Sequence, residues 1–249
     1  MPTAVAGAPG SPAAGAAAAA AAVAAERKTP SRIALVMRSS LGRKFVMAVT
    51  GVALSLFVLA HMIGNLSAFS GAAAMDEYAA ALKKVPPVLW AVRIGLLASV
   101  ALHVWAYVSL TRMSAAARPR AYAVTARRES DAASRSMRFT GPLLLAFIVY
   151  HILHFTTGTV HPGFRDGAVY ANLVTGLRVI PVAIFYLAAM AALGFHLFHG
   201  IWSLFQTLGW SQPKRASLAR RIATAFTAAV VAGFAAVPLS VLLGVLSLE

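Results

Sequence analysis

Five stretches of this chain stay apolar for about 20 residues or more, the length a helix needs to cross the hydrocarbon core of a bilayer. They run approximately over 45–68, 88–111, 139–160, 179–207 and 222–247. Backbone inside hydrocarbon must satisfy its own amides and carbonyls, so each stretch is predicted to be a helix. The chain then reads as an all-α, polytopic membrane protein with five transmembrane helices. A hydrophobic fraction of 59% and a mean hydropathy of +0.75 are too apolar for a water-soluble domain of this size. Pro86, Pro87, Gly141, Pro142 and Pro181 are placed at span starts, where a missing amide donor costs least. Pro238 falls inside the fifth span and is expected to kink it.

The charges give these spans a direction. Outside them, Lys and Arg number 6 in 27–44, 2 in 69–87, 7 in 112–138, 2 in 161–178, 4 in 208–221 and 0 at the C-terminus. That alternation follows the positive-inside rule at every step, so the N-terminus is expected in the cytoplasm and the C-terminus outside. The net charge of +15 is thereby a topology signal, and nucleic acid is not expected as a partner. Arg93, early in span two, is expected to snorkel to the outer interface or to pair with an acidic group there.

Residues 1–30 are nearly all Ala, Gly and Pro, with no basic residue before Arg27. A signal peptide places its positive charge ahead of its apolar region, so this segment reads as a disordered, low-complexity tail. The membrane domain is 31–249. Segment 31–44 mixes apolar residues with Arg32, Arg38, Arg43 and Lys44, the pattern of either an interfacial helix or an ordinary basic flank. There is no cysteine, which excludes disulfides and cysteine-held clusters within the chain. The acidic residues are Glu26, Asp76, Glu77, Glu129, Asp131, Asp166 and Glu249, all outside the spans. A proton-coupled transporter or a carboxylate-bridged metal site would want at least one within. No phosphate-binding loop and no catalytic triad is visible, so no catalytic residues are assigned.

The chemistry lies in seven histidines: His61, His103, His151, His154, His161, His196 and His199. Six fall inside spans, and spans one to four each hold at least one. Ionisable side chains are costly in a bilayer and mark functional sites. Counting from the outer ends at about 1.5 Å per residue, His61 and His151 lie on the order of 14 Å deep, and His103 and His196 on the order of 23 Å. One layer joins spans one and three, the other spans two and four. Two imidazoles facing each other across a four-helix bundle are what a b-type haem requires, and two layers imply two haems. Ligation also makes an imidazole tolerable in hydrocarbon, because one nitrogen binds iron while the other donates a hydrogen bond. His151/His154 and His196/His199 are i, i+3 pairs sharing a face, so spacing alone leaves the ligand within each pair open. His161 precedes Pro162 in an outer loop and reads as a surface residue. Gly51, Gly64, Gly141, Gly194 and Gly200 lie where they either admit a ring or serve helix packing.

Four motifs carry a resemblance: "TGVALSLFVLAHMIGNL" (50–66), "IGLLASVALHVWAY" (94–107), "TGPLLLAFIVYHILHF" (140–155) and "FHLFHGIWSLFQTLG" (195–209). Over roughly 40–240 the chain resembles the cytochrome b membrane anchor of succinate dehydrogenase (succinate:menaquinone oxidoreductase), of the one-polypeptide, five-helix, dihaem type. The resemblance implies axial ligands His61, His103, His151 and His196, paired His61–His151 and His103–His196. It leaves His154 and His199 as secondary contacts, to a propionate or a quinone. It further implies two haem b groups and menaquinone as acceptor. The partners implied are flavoprotein and iron–sulfur subunits on the cytoplasmic face of a bacterial inner membrane. Basic loops 112–138 and 208–221 would meet those partners. Electrons from succinate would pass to the inner haem, then the outer haem, then the quinone.

Three rival readings are open. A dihaem cytochrome b serving another respiratory dehydrogenase, such as hydrogenase or formate dehydrogenase, would distribute its ligands differently. A His-lined metal-ion transporter would show no Soret band. A purely structural anchor would be colourless yet still bind an iron–sulfur partner.

Overall fold

A computed structural model describes residues 39–117, 132–210 and 212–248. Seven α-helices fall within them: α1 Ser40–Asn65, α2 Ala72–Lys83, α3 Pro86–Ala116, α4 Ala132–His151, α5 Val169–Leu177, α6 Ile180–Thr207 and α7 Pro213–Leu242. A 3₁₀ turn, Leu66–Ser70, continues α1, and a π turn, Ile152–Thr156, continues α4. The chain divides at Arg43/Lys44. Of the first part, residues 39–43 open α1, where the Ser39 hydroxyl accepts the Gly42 amide at 3.0 Å as an N-cap. The second part, from Lys44 onward, contains the helix bundle. The tail 1–30 and residues 31–38 and 118–131 lie outside the described residues.

Five helices, α1, α3, α4, α6 and α7, are long and apolar enough to cross a membrane. This is the all-α, five-span architecture expected from the sequence. The ends differ from expectation. α4 starts at Ala132, which puts Pro142 inside the helix rather than at its start. Proline is tolerated within membrane helices when neighbours serve the freed carbonyl. α7 starts at Pro213 because the basic run after it, Lys214 to Arg221, is built of good helix formers behind a proline at the first turn. Hydropathy marks where a helix becomes apolar, not where it begins.

α6 lies along α7 and α4 packs on α6. Small residues make the approach close: Ala183, Ala189 and Ala192 of α6 and Ala219 and Ala223 of α7 are buried. A Cβ on Gly194 would stand 3.3 Å from Val231, and one on Gly233 would strike the Met62 side chain of α1. α3 is the opposite case. Ala106 is its one buried residue, and Trp90, Ile94 and Leu97 stand more than half exposed, as lipid-facing side chains do. Arg93 lies over the Trp90 ring at 5.2 Å.

The two short helices α2 and α5 had no counterpart in the sequence pattern, where 69–87 and 161–178 read as loops. They cap one end of the bundle. Ala68, Met75, Tyr170, Leu173, Val174, Leu177, Tyr186, Val237, Val241 and Leu246 form one buried cluster there. The Asp76 carboxylate accepts the Tyr170 amide at 2.9 Å, serving a free donor at the start of α5. The Tyr170 hydroxyl donates to the Ser247 carbonyl at 3.1 Å. An exposed Lys83–Asp166 pair at 3.3 Å adds little at the surface. Both connections and the C-terminal residues therefore share one end, the poorly basic one.

The chain has no cysteine of its own, so single cysteines report side directly. Arg165→Cys and Leu248→Cys are expected to react with a membrane-impermeant maleimide from the same face, and Lys214→Cys from the opposite face. Labelling of all three from one side in sealed vesicles would break the arrangement.

Candidate functional site

The six intramembrane histidines gather into two groups at different heights. Nearer the capped end, the rings of His61 (α1) and His151 (α4) stand 5.7 Å apart, edge to face. His61 stacks on Phe57 one turn before it, at 5.3 Å, and meets Phe234 of α7 at 5.9 Å. Asn65 donates from its side chain to the His61 carbonyl at 2.7 Å, securing the end of α1. Nearer the basic end, the rings of His103 (α3) and His196 (α6) stand 6.3 Å apart. The pairs that meet are the two that the depth count joined.

The layers are separated more widely than that count implied. Thr50 touches the His103 ring, so Thr50 and His61 mark the two heights on α1, about 16 Å apart along the axis. Tyr186 touches His151, so Tyr186 and His196 mark them on α6, about 15 Å apart. Depth read from assumed helix ends gave about 9 Å. Two marks on a single helix need no such assumption.

Hydrogen bonding fixes the state of His103. The Thr50 hydroxyl donates its one proton to the Val46 carbonyl at 2.7 Å, the usual back-bond of a helical threonine. Its oxygen, 3.1 Å from Nδ1 of His103, is left to accept. His103 therefore carries its proton on Nδ1 and presents a lone pair on Nε2. Gly51, beside Thr50, leaves its missing Cβ 3.5 Å from the same ring. Across from it, Nδ1 of His196 is buried with no hydrogen-bond partner.

The capped-end group is more elaborate. The π turn begins immediately after His151, and its bond from the Thr157 amide to the Ile152 carbonyl measures 3.0 Å. The widened turn carries His154 to the Tyr186 hydroxyl as well, so that oxygen lies 3.3 Å from Nδ1 of His151 and 3.0 Å from Nδ1 of His154. His154 is fully buried, and its ring stacks on His161 at 4.8 Å. His161, expected at the surface, is only 8% exposed. Its Nε2–H donates to the Asn172 carbonyl at 2.7 Å. The reason is α5, whose Asn172 and Gly176 lie against the ring. A Cβ at Gly176 would lie 2.8 Å from Nε2 of His154 and 2.9 Å from Nε2 of His161. Asn172 closes the turn between, accepting the Arg165 amide at 3.0 Å and donating to its carbonyl at 2.7 Å.

Thr50, Tyr186, Asn172 and Gly176 carry no signal in the sequence that marks them as site residues. None is charged, and each matters only through a partner on another element, so no local pattern singles them out. Of the glycines singled out, Gly51 faces a histidine ring, Gly64 lies under Tyr78 and Gly194 meets α7, while Gly141 and Gly200 face open space.

The donor set suits a flat macrocycle with two axial positions. Among the described residues no three His, Asp or Glu side chains are placed to hold a bare metal ion. The imidazoles come in twos, from opposite helices, with a lone pair defined on His103 and an unpartnered buried nitrogen on His196. A tetrahedral zinc site would need three or four such ligands together.

Residues 114–237 match the family profile described as succinate dehydrogenase/fumarate reductase transmembrane subunit. No curated protein and no solved structure matches the chain. The matched segment, about half the chain, contains His151, His154, His161, His196 and His199, while His61 and His103 precede it. Over that segment the chain is similar to the transmembrane subunits of succinate dehydrogenase and fumarate reductase.

Proposed function

We propose that this chain is the dihaem cytochrome b anchor of a succinate dehydrogenase in a bacterial cytoplasmic membrane. Its role is to hold flavoprotein and iron–sulfur subunits at the cytoplasmic face and to connect them to menaquinone. The observation that carries this reading is the meeting of His61 with His151 and of His103 with His196 at two heights in a chain with this similarity. His61 and His151 would be the axial ligands of one haem b, and His103 and His196 those of the other.

Bound there, haem supplies a one-electron carrier at each height, which lets reducing equivalents cross the bilayer. The chain's own work is to place and orient the ligands. Thr50 holds His103 with its Nε2 lone pair free. Phe57 and Phe234 fix the plane of His61. α6 and α7 form a close, small-residue seam, and α4 packs on α6 beside it. The charge asymmetry favours the basic end as cytoplasmic, which makes His103–His196 the inner pair and His61–His151 the outer one. Arg220, in the basic N-terminal part of α7, lies over Phe198 at 5.6 Å and Trp202 at 5.8 Å, so this basic segment is held to α6 at the end where the soluble subunits would dock.

The purified protein should give a pyridine haemochrome value of two b haems per chain. His61→Leu and His151→Leu should each lower it to one and leave the same haem behind, and His103→Leu and His196→Leu should each remove the other. A colourless wild-type protein, or one whose four variants lose haem indiscriminately, would defeat the assignment. With electrons moving from inside to outside, the succinate–quinone rate of reconstituted complex should respond to an imposed potential. Each charge moved across 100 mV is worth about 2.3 kcal/mol. A rate indifferent to the potential would rule out transmembrane electron transfer.

A further inference from the structure

The Tyr186 hydroxyl stands between two imidazoles and has one proton to give. Nδ1 of His151 lies 3.3 Å away and Nδ1 of His154 3.0 Å away. Only two arrangements satisfy all three groups. In the first, Tyr186 donates to His154 and accepts from His151, so His151 has its proton on Nδ1 and a lone pair on Nε2. In the second, Tyr186 donates to His151 and accepts from His154, which moves the proton of His151 to Nε2 and removes the lone pair there.

The surroundings decide which histidine needs that lone pair. Nε2 of His154 faces the backbone of α5, where even a methyl group on Gly176 would stand 2.8 Å away, and no macrocycle can approach it. His151 is the one whose ring faces His61. The Asn172 carbonyl can only accept, so His161 carries its proton on Nε2. Nε2 of His154 and Nδ1 of His161 are both buried and make no hydrogen bond, so the stacked His161 ring does not choose between the arrangements.

We infer that Tyr186 and His154 are positioning residues for haem binding: His154 takes the Tyr186 hydroxyl proton and thereby keeps His151 in the tautomer that can ligate iron. Neither residue touches the iron. The inference rests on the reading of His151 as a haem ligand. It assigns His154 a role other than that of spare ligand or propionate contact. The hydrogen bond from His151 to Tyr186 also raises the basicity of the ligand and so favours ferric iron.

Two single variants and their combination test this in the complete complex. The readouts are haem content and potentiometric titration, with the His103–His196 haem as internal control for folding. Tyr186→Phe should retain both haems and shift one reduction equilibrium toward the ferrous form by about tenfold, ~59 mV for a one-electron couple. His154→Leu should weaken retention of that same haem about tenfold, because the freed hydroxyl proton turns to Nδ1 of His151. The double variant should regain the retention of Tyr186→Phe, since no hydroxyl remains to impose the wrong tautomer. A cavity left by His154 would instead make the double variant no better than His154→Leu, which would overturn the inference. So would a Tyr186→Phe protein with both potentials unmoved. Wild-type protein without haem would fail the ligand reading itself and this inference with it. Two haems in the wild type with no response in these variants would fail the inference alone.

Discussion

A buried imidazole is costly for each nitrogen left without a partner, and three of the intramembrane histidines are served by a hydroxyl from another helix. Each intramembrane histidine described with a hydrogen bond finds it on a neighbouring helix. Thr50 of α1 serves His103 of α3, and Tyr186 of α6 serves His151 and His154 at the end of α4. Such bonds hold helices in register where hydrophobic burial gives no preference, because lipid tails are as apolar as the side chains they would replace. α3 shows the dependence most plainly. It buries one alanine along its length, and Thr50 of α1 meets its His103 ring.

What the sequence made legible was whatever depends on hydropathy, charge or spacing within one helix. The five spans, the side shared by the short connections and the partners of His61 and His103 all belong there. The His61–His151 meeting could be anticipated because helices are nearly rigid rods, and depth along one can be compared with depth along another. What stayed hidden depends on contacts between elements. α5 is nine residues long, too short to span and too apolar to announce itself as a loop. Its fold over the capped end turns His161 from an expected surface residue into a buried one. The π turn after His151 has no composition signal either, yet it brings His154 to the hydroxyl that His151 also uses.

The family match and the histidine geometry are partly independent supports. The profile covers α4, α6 and most of α7 and gives no information about α1 or α3. Both histidine pairs, however, consist of one residue inside the matched segment and one outside it. α1 and α3 thus bring to the matched helices the complementary imidazoles at the two heights where His151 and His196 already stand. An unrelated pair of hydrophobic helices would have little reason to carry histidines at both levels, since each uncompensated imidazole is costly in hydrocarbon.

The two heights are built differently, and the difference has a consequence. Thr50 is a committed acceptor, because its proton already serves a carbonyl of its own helix. His103 is therefore held in one tautomer by α1 alone. Tyr186 has no such internal acceptor, and its proton can go to either of two histidines. The state of His151 is then set by His154, whose ring is stacked on His161 under the close approach that Gly176 permits. One pair is fixed within the span, while the other is tied to the fold of a surface connection. Displacement of α5 at the capped end would disturb the stacked His161 and His154 rings and, through the Tyr186 hydroxyl, His151. The capped-end pair is thus the one whose hydrogen-bonded state depends on a surface connection as well as on the spans.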